Sequence, residues 1–156
     1  MELPPEAARA LIGPRADYYL KRWALLDEGH GPALGFNWAA FFGNGLWLLY
    51  RRMYRAFWLW AGGLLVMDLL LALAFPAMST DVDGAITLVI AVTFGKFGSY
   101  WYYRFVCRAW RRATAAGATG AEELARRGGT RWWPVIMAAA VMGGLLYVLL
   151  LGEAVA

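Results

Sequence analysis

The stretch "FNWAAFFGNGLWLLYRRMYRAFWLW", residues 36–60, decides how this chain folds. Its first part, residues 36–50, is dominated by apolar and aromatic side chains. A helix needs about 20 such residues to cross the ~30 Å hydrocarbon layer of a bilayer, so this part is too short. Gly43-Asn44-Gly45 also interrupts it midway, where glycine's conformational freedom favours a break. The expectation is an interfacial or re-entrant element rather than a span. From Leu46 a helix resumes, bringing Arg51, Arg52 and Arg55 to the level of the lipid headgroups. In a competing four-span arrangement residues 36–50 cross, and the N-terminus lies outside.

The apolar character continues beyond this stretch. Of 156 residues, 61% are hydrophobic and only 17% charged, against about 45–50% and about 25% in soluble domains. The excess sits in long runs, which points to an all-α integral membrane protein. Three transmembrane helices are expected, at residues 56–75, 85–105 and 132–151. An N-terminal region, 1–35, precedes the interfacial segment, 36–55, and a polar connector, 106–131, carries a short helix at "AEELARR". Pro76 closes the first span, and "DEGHGPALG" reads as a loop. No basic region leading into an apolar core opens the chain, so a cleavable signal is not expected.

The charges set an orientation. Seven basic residues, Arg9 to Arg55, precede the first expected span, and seven, Arg104 to Arg131, fall between the second and third. The intervening turn carries Asp81 and Asp83 instead. Because basic residues are retained on the cytoplasmic side, the N-terminus and connector are expected inside and the C-terminus outside. Trp38, Trp47, Tyr50 and Tyr54 would form an aromatic belt beside them, joined by Tyr100 to Tyr103 and by Trp132 and Trp133. Arg51, Arg52, Arg55, Arg104 and Arg108 would meet anionic phosphates there, each for about 1 kcal/mol. Tyr18, Tyr19, Trp23 and Leu26 recur at helical spacing. They suit either an amphipathic helix on that surface or one packed on its own protein.

Two ionisable residues fall within expected spans. Asp68 and Lys96 would lie about 18 Å and about 12 Å from the inner surface at 1.5 Å per residue. The short turn makes their helices antiparallel neighbours, so an ion pair or polar pathway is one expectation. Outward snorkelling of Lys96 beside a protonated or hydrogen-bonded Asp68 is the other. Small residues at Gly95 and Ser99, Ala139 and Gly143, and Ala140 and Gly144 allow close helix approach.

Little points to catalysis. A single Cys107 excludes an internal disulfide, and a single His30 leaves little for a zinc site or proton relay. No phosphate-binding loop, nucleophile elbow or dinucleotide fingerprint occurs. The expectation is therefore a non-enzyme with no cofactor or metal, no nucleic-acid partner, and contacts to membrane lipids, to itself or to a larger membrane protein.

"IGPRADYYLKRW", "FNWAAFFGNGLWLLYRRMY" and "FGKFGSYWYYRF" together resemble the successive motifs of the bacterial domain-of-unknown-function family 2628. The resemblance covers roughly residues 12–112, with Ser99 standing where the family often has Asn and Gly43-Asn44-Gly45 where it has a Phe-Gly-Pro-like break. It implies a small multi-pass protein of the bacterial inner membrane, and brings no catalytic residue with it. Function is expected to be that of a scaffold or interaction protein contacting anionic lipids; the alternative is an oligomeric transporter or channel subunit using Asp68 and Lys96.

Overall fold

The computed structural model describes residues 3–29, 31–32, 35–75, 80–118 and 120–155. His30 and Pro76 lie outside them. Every regular element among the described residues is a helix: α1 (Pro5–Ile12), α2 (Ala16–Asp27), α3 (Trp38–Tyr50), α4 (Tyr54–Ala74), α5 (Thr80–Ala115), α6 (Ala121–Arg127) and α7 (Trp133–Val155).

α1 opens on a proline, whose missing N–H costs nothing in a first turn. Ala7, Ala8, Leu11 and Ile12 form one helical stripe and are buried against α5 and α6. At α6's end the backbones nearly touch. A Cβ on Gly128 would stand 2.1 Å from the Leu11 carbonyl oxygen, and Gly129 donates its N–H to that same carbonyl. Only glycine fits at 128.

α2 turns Ala16, Tyr19 and Trp23 inward. Of the two expected homes for this helix, the structure has the second: it packs on its own protein. Trp23 donates its indole N–H to the Ser99 carbonyl at 3.1 Å, while Tyr18 stays exposed.

α3 is the hub, packed on α4, α5 and α7. Asn37 starts it by three bonds. Its side-chain oxygen accepts the Ala40 N–H, its Nδ2 donates to Ser99 Oγ at 3.3 Å, and its own N–H donates to the Gly95 carbonyl at 2.7 Å. This contact requires small residues on α5, because a Cβ on Gly95 would stand 2.4 Å from the Phe36 ring. The small pair Gly95 and Ser99 thus serves α3. Gly143 and Gly144, by contrast, have nothing within 4 Å of where a Cβ would be. The expected break falls on Asn44, at φ 39° and ψ −119°. At 13 residues, α3 is about 20 Å long.

The corner after α3 is a Schellman turn without its usual glycine. Arg52 N–H donates to Leu49 and Met53 N–H to Leu48, the pairing that closes such a turn, and Arg52 occupies the left-handed position at φ 59°. Its guanidinium in return donates to the Arg126 and Gly128 carbonyls, tying the corner to the end of α6.

Among the described residues, two helices are long and apolar enough to cross a membrane: α4 and the Val82–Ala115 stretch of α5. α7 adds an apolar stretch, Trp133–Leu145, and packs on α3. α4 has no buried residue at all. The second apolar helix runs ten residues past its expected end at Phe105, to Ala115. Val106 and Ala113 continue through this extension the buried stripe that includes Tyr102, so the first part of the expected connector is core helix.

Candidate functional site

Arg51, Arg52 and Arg55 read in sequence as one headgroup-binding cluster. The left-handed turn at Arg52 sends them apart. Arg52 is committed to the α6 carbonyls, and Arg55 points outward and is exposed. Arg51 turns inward and is only 3% exposed.

The surroundings of Arg51 are aromatic. Its guanidinium carbon lies 4.7 Å from the Tyr19 ring centroid, 4.9 Å from that of Tyr102 and 5.4 Å from that of Tyr50. Nη2 donates to the Tyr19 hydroxyl at 3.2 Å. Nε and Nη1 have no hydrogen-bond partner among the described residues. Tyr19 and Tyr102 are themselves locked, 4.9 Å apart edge to face. Trp47, 4% exposed, backs Tyr102 at 6.1 Å. This corrects the expectation of Trp47 in the aromatic belt: its ring fills the core between α3 and α5. Trp38 is 62% exposed. Tyr50 is half-buried, its ring 4.8 Å from Trp132.

Arg51 lines a pocket of about 570 Å³ between α2, α3 and the start of α7. Arg15, Tyr18 and Arg22 line it too, with Leu46, Trp47 and Val135 on an apolar wall. No carboxylate lines it among the described residues. Burial pushes the Tyr18 hydroxyl above its ordinary pKa of 10, with the Arg22 charge opposing. It therefore stays a neutral hydrogen-bond donor at physiological pH.

A second basic feature lies where α4 begins, α5 ends and α6 passes. A groove of about 560 Å³ is lined by Arg52, Arg55, Arg108, Arg112 and Arg127, with Tyr54, Leu59 and Phe105 between them. Arg104 is exposed beside it on α5, donating to the Tyr100 hydroxyl at 3.1 Å. Of the residues expected at the lipid surface, Tyr54, Arg55 and Arg108 line this one groove with Arg52, whereas Arg51 and Trp47 do not.

Asp68 and Lys96 are not brought together. α4 and α5 do not pack backbone to backbone. They touch through Trp60 and Phe94, 5.9 Å between ring centroids, and otherwise leave a cleft of about 740 Å³. Asp68 lines that cleft with Asn44, Asp83 and Thr87, and Lys96 does not. Both are exposed. Among the described residues no group of three or more His, Cys, Asp or Glu is placed to hold a metal ion.

Sequence reasoning missed the inward turn of Arg51, because nothing in "LLYRRMYR" separates the three arginines. The available signal was weak: Tyr19 and Tyr102 each lie within the quoted motifs, and a buried cation needs such rings.

No curated protein and no solved structure matches the chain. Residues 8–108, from α1 through the Arg51 corner to the buried stretch of α5, match the family described as "Protein of unknown function (DUF2628)". That is well over half of the chain, and the protein belongs to this family.

Proposed function

We propose that this is a multi-pass protein of a bacterial inner membrane, working without chemistry of its own as a scaffold that holds anionic lipid and a membrane partner. In this reading α4, the first part of α5 and α7 cross the bilayer. The N-terminus and the α5–α6 region lie in the cytoplasm, and the C-terminus lies outside. One observation carries the reading: α4 has no residue buried by the rest of the protein, although its composition is that of a core. Leu65, Leu69 and Leu73 are 71%, 58% and 74% exposed. On a soluble monomer such a surface far exceeds the usual apolar patch of a few hundred Å². In lipid it costs nothing.

The basic groove supports the lipid contact. Its guanidiniums come from α4, α5 and α6 at the end where the packed core lies, while Asp83 sits at the other end of the apolar helices. Juxtamembrane arginines gather anionic lipid through charge. Purified protein reconstituted into phosphatidylcholine bilayers should capture added soluble phosphatidylglycerol in preference to the zwitterionic lipid. The double variant Arg55→Gln/Arg108→Gln should lose that preference at least fivefold; an unchanged preference would remove the groove from the account.

The transporter alternative keeps Asp68 on the α4–α5 cleft with Asp83 but lacks its partner in Lys96. A solute flux abolished by Asp68→Asn, with melting behaviour unchanged, would favour it.

A further inference from the structure

A buried arginine that has no carboxylate is expensive. Removing such an ion from water is costly even after relaxation. The three tyrosine rings return part of this through attraction between the cation and their faces. Beyond the bond from Nη2 to the Tyr19 hydroxyl, they leave the other nitrogens of the guanidinium group unsatisfied. Nε–H and Nη1–H of Arg51 have no acceptor among the described residues, although the residue is 3% exposed and lines a pocket. Arg15 and Arg22 line the same pocket, and no acid does among the described residues.

The pocket's lining is of two kinds: cationic and hydroxylated, from Arg51, Arg15, Arg22 and Tyr18, and apolar, from Leu46, Trp47 and Val135. Trp38 and Trp132 also line it, and both are more than 60% exposed. Beyond Val135 the apolar lining passes into the exposed face of α7 at Ile136 and Met137. Three guanidiniums suit a doubly charged phosphate better than a carboxylate, and planar guanidinium groups match the oxygen spacing of phosphate. The apolar lining suits an acyl chain.

We propose that this pocket is a binding site for a phosphate-headed amphiphile, with the phosphate on Arg51 and the chain running along α3 and α7. The proposal rests on the membrane reading for the source of its ligand. It is distinct from the groove, which attracts anionic lipid through surface charge.

The test is calorimetric titration of the full-length protein in an uncharged maltoside micelle with dihexanoyl phosphatidic acid, inorganic phosphate and octanoate. The phosphatidic acid should bind at least tenfold more tightly than either of the others. Arg15→Gln, on an exposed residue, should weaken it about fivefold with no change in melting temperature. Arg51→Met should abolish binding while leaving the unliganded protein at least as heat-stable as the wild type, because it removes an unpaired buried charge. Arg55→Gln/Arg108→Gln should leave this titration unchanged, so failure of the groove and failure of the pocket are separable. Equal affinity for inorganic phosphate would make this a free-phosphate site and overturn the amphiphile. Equal affinity for octanoate would overturn the phosphate. No binding, or an Arg51→Met protein that melts lower without ligand, would make Arg51 a purely structural staple and overturn the site.

Discussion

The two halves of this molecule use apolar residues in opposite ways. In the half built from α1, α2, α3, α6 and the end of α5, residues such as Leu11, Ile12, Tyr19 and Tyr102 are at most 2% exposed and touch one another. In the half built from α4, the start of α5 and α7, equally apolar residues such as Leu65, Leu73 and Met142 are more than 60% exposed. The first half folds as a water-soluble core does, by taking apolar surface out of water. The second satisfies its backbone within single helices and leaves its side chains to the surroundings, as a bilayer permits. The contrast shows that sequence hydrophobicity sets where a chain can go, and that packing decides what it does there.

The strongest way to break this contrast is to truncate one leucine in each half. Leu11→Ala should destabilise the protein by about 2–5 kcal/mol, the cost of a buried cavity. Leu65→Ala should cost under about 0.5 kcal/mol in a bilayer, as at a site with no packed neighbour. Sodium dodecyl sulfate unfolding followed by tryptophan fluorescence would compare them. Equal costs would mean that α4 is covered by a partner.

Glycines sharpen the same comparison. Gly128→Ala places a methyl group against the Leu11 backbone and should cost about 1–3 kcal/mol by overpacking. Gly62 has nothing within 4 Å, so Gly62→Ala should be neutral or stabilise by about 0.5–1 kcal/mol through helix propensity. The same unfolding assay reads both.

Arg52→Ala removes the tie from the α3–α4 corner to the α6 carbonyls and keeps the left-handed backbone. A loss of about 1–3 kcal/mol is expected. Arg52→Gly should recover part of it by relieving the backbone. Recovery that fails would show that the turn, though left-handed, stores no strain.

The smallest effect lies on α6. Hydrogen bonds from Arg127 and then Arg126 hold the Glu123 carboxyl below its ordinary pKa of 4.5. Its folded-state pKa is depressed, so the pairing contributes fully above the unfolded value and is lost as pH falls through the lower folded one. Melting temperature should therefore drop slightly more for wild type than for Glu123→Gln as pH is lowered from 5 toward 3. The groups are exposed, so the difference will be small, and parallel curves would mean the pairs add nothing measurable.

Much of the helix map was legible, because α4, α6 and α7 follow apolar runs and charge spacing that have few other solutions. The break at Asn44 was legible too, since two glycines flank it. The ends and partners were harder. α5 continues past Phe105 because Val106 and Ala113 extend a buried stripe through "VCRAWRRATA", where the arginines on the other face mask it. A short turn suggested that α4 and α5 pack side by side, but the bulky Trp60 and Phe94 make the contact while the rest of the pair stays open. At the candidate site, three arginines within five residues looked alike. One left-handed residue gave each a different direction, and single-residue backbone choices of that kind leave no periodicity to read.

The most direct test of the two-half account is cysteine accessibility in intact cells. With Cys107 replaced, single cysteines at Glu6, Asp83 and Glu122, all on exposed positions, would be challenged with a thiol reagent that does not cross the membrane. The account predicts labelling at Asp83 alone, with Glu6 and Glu122 labelled only after the membrane is opened. Labelling of Glu6 from outside would mean that α3 crosses, and would contradict the placement of the packed basic half in the cytoplasm.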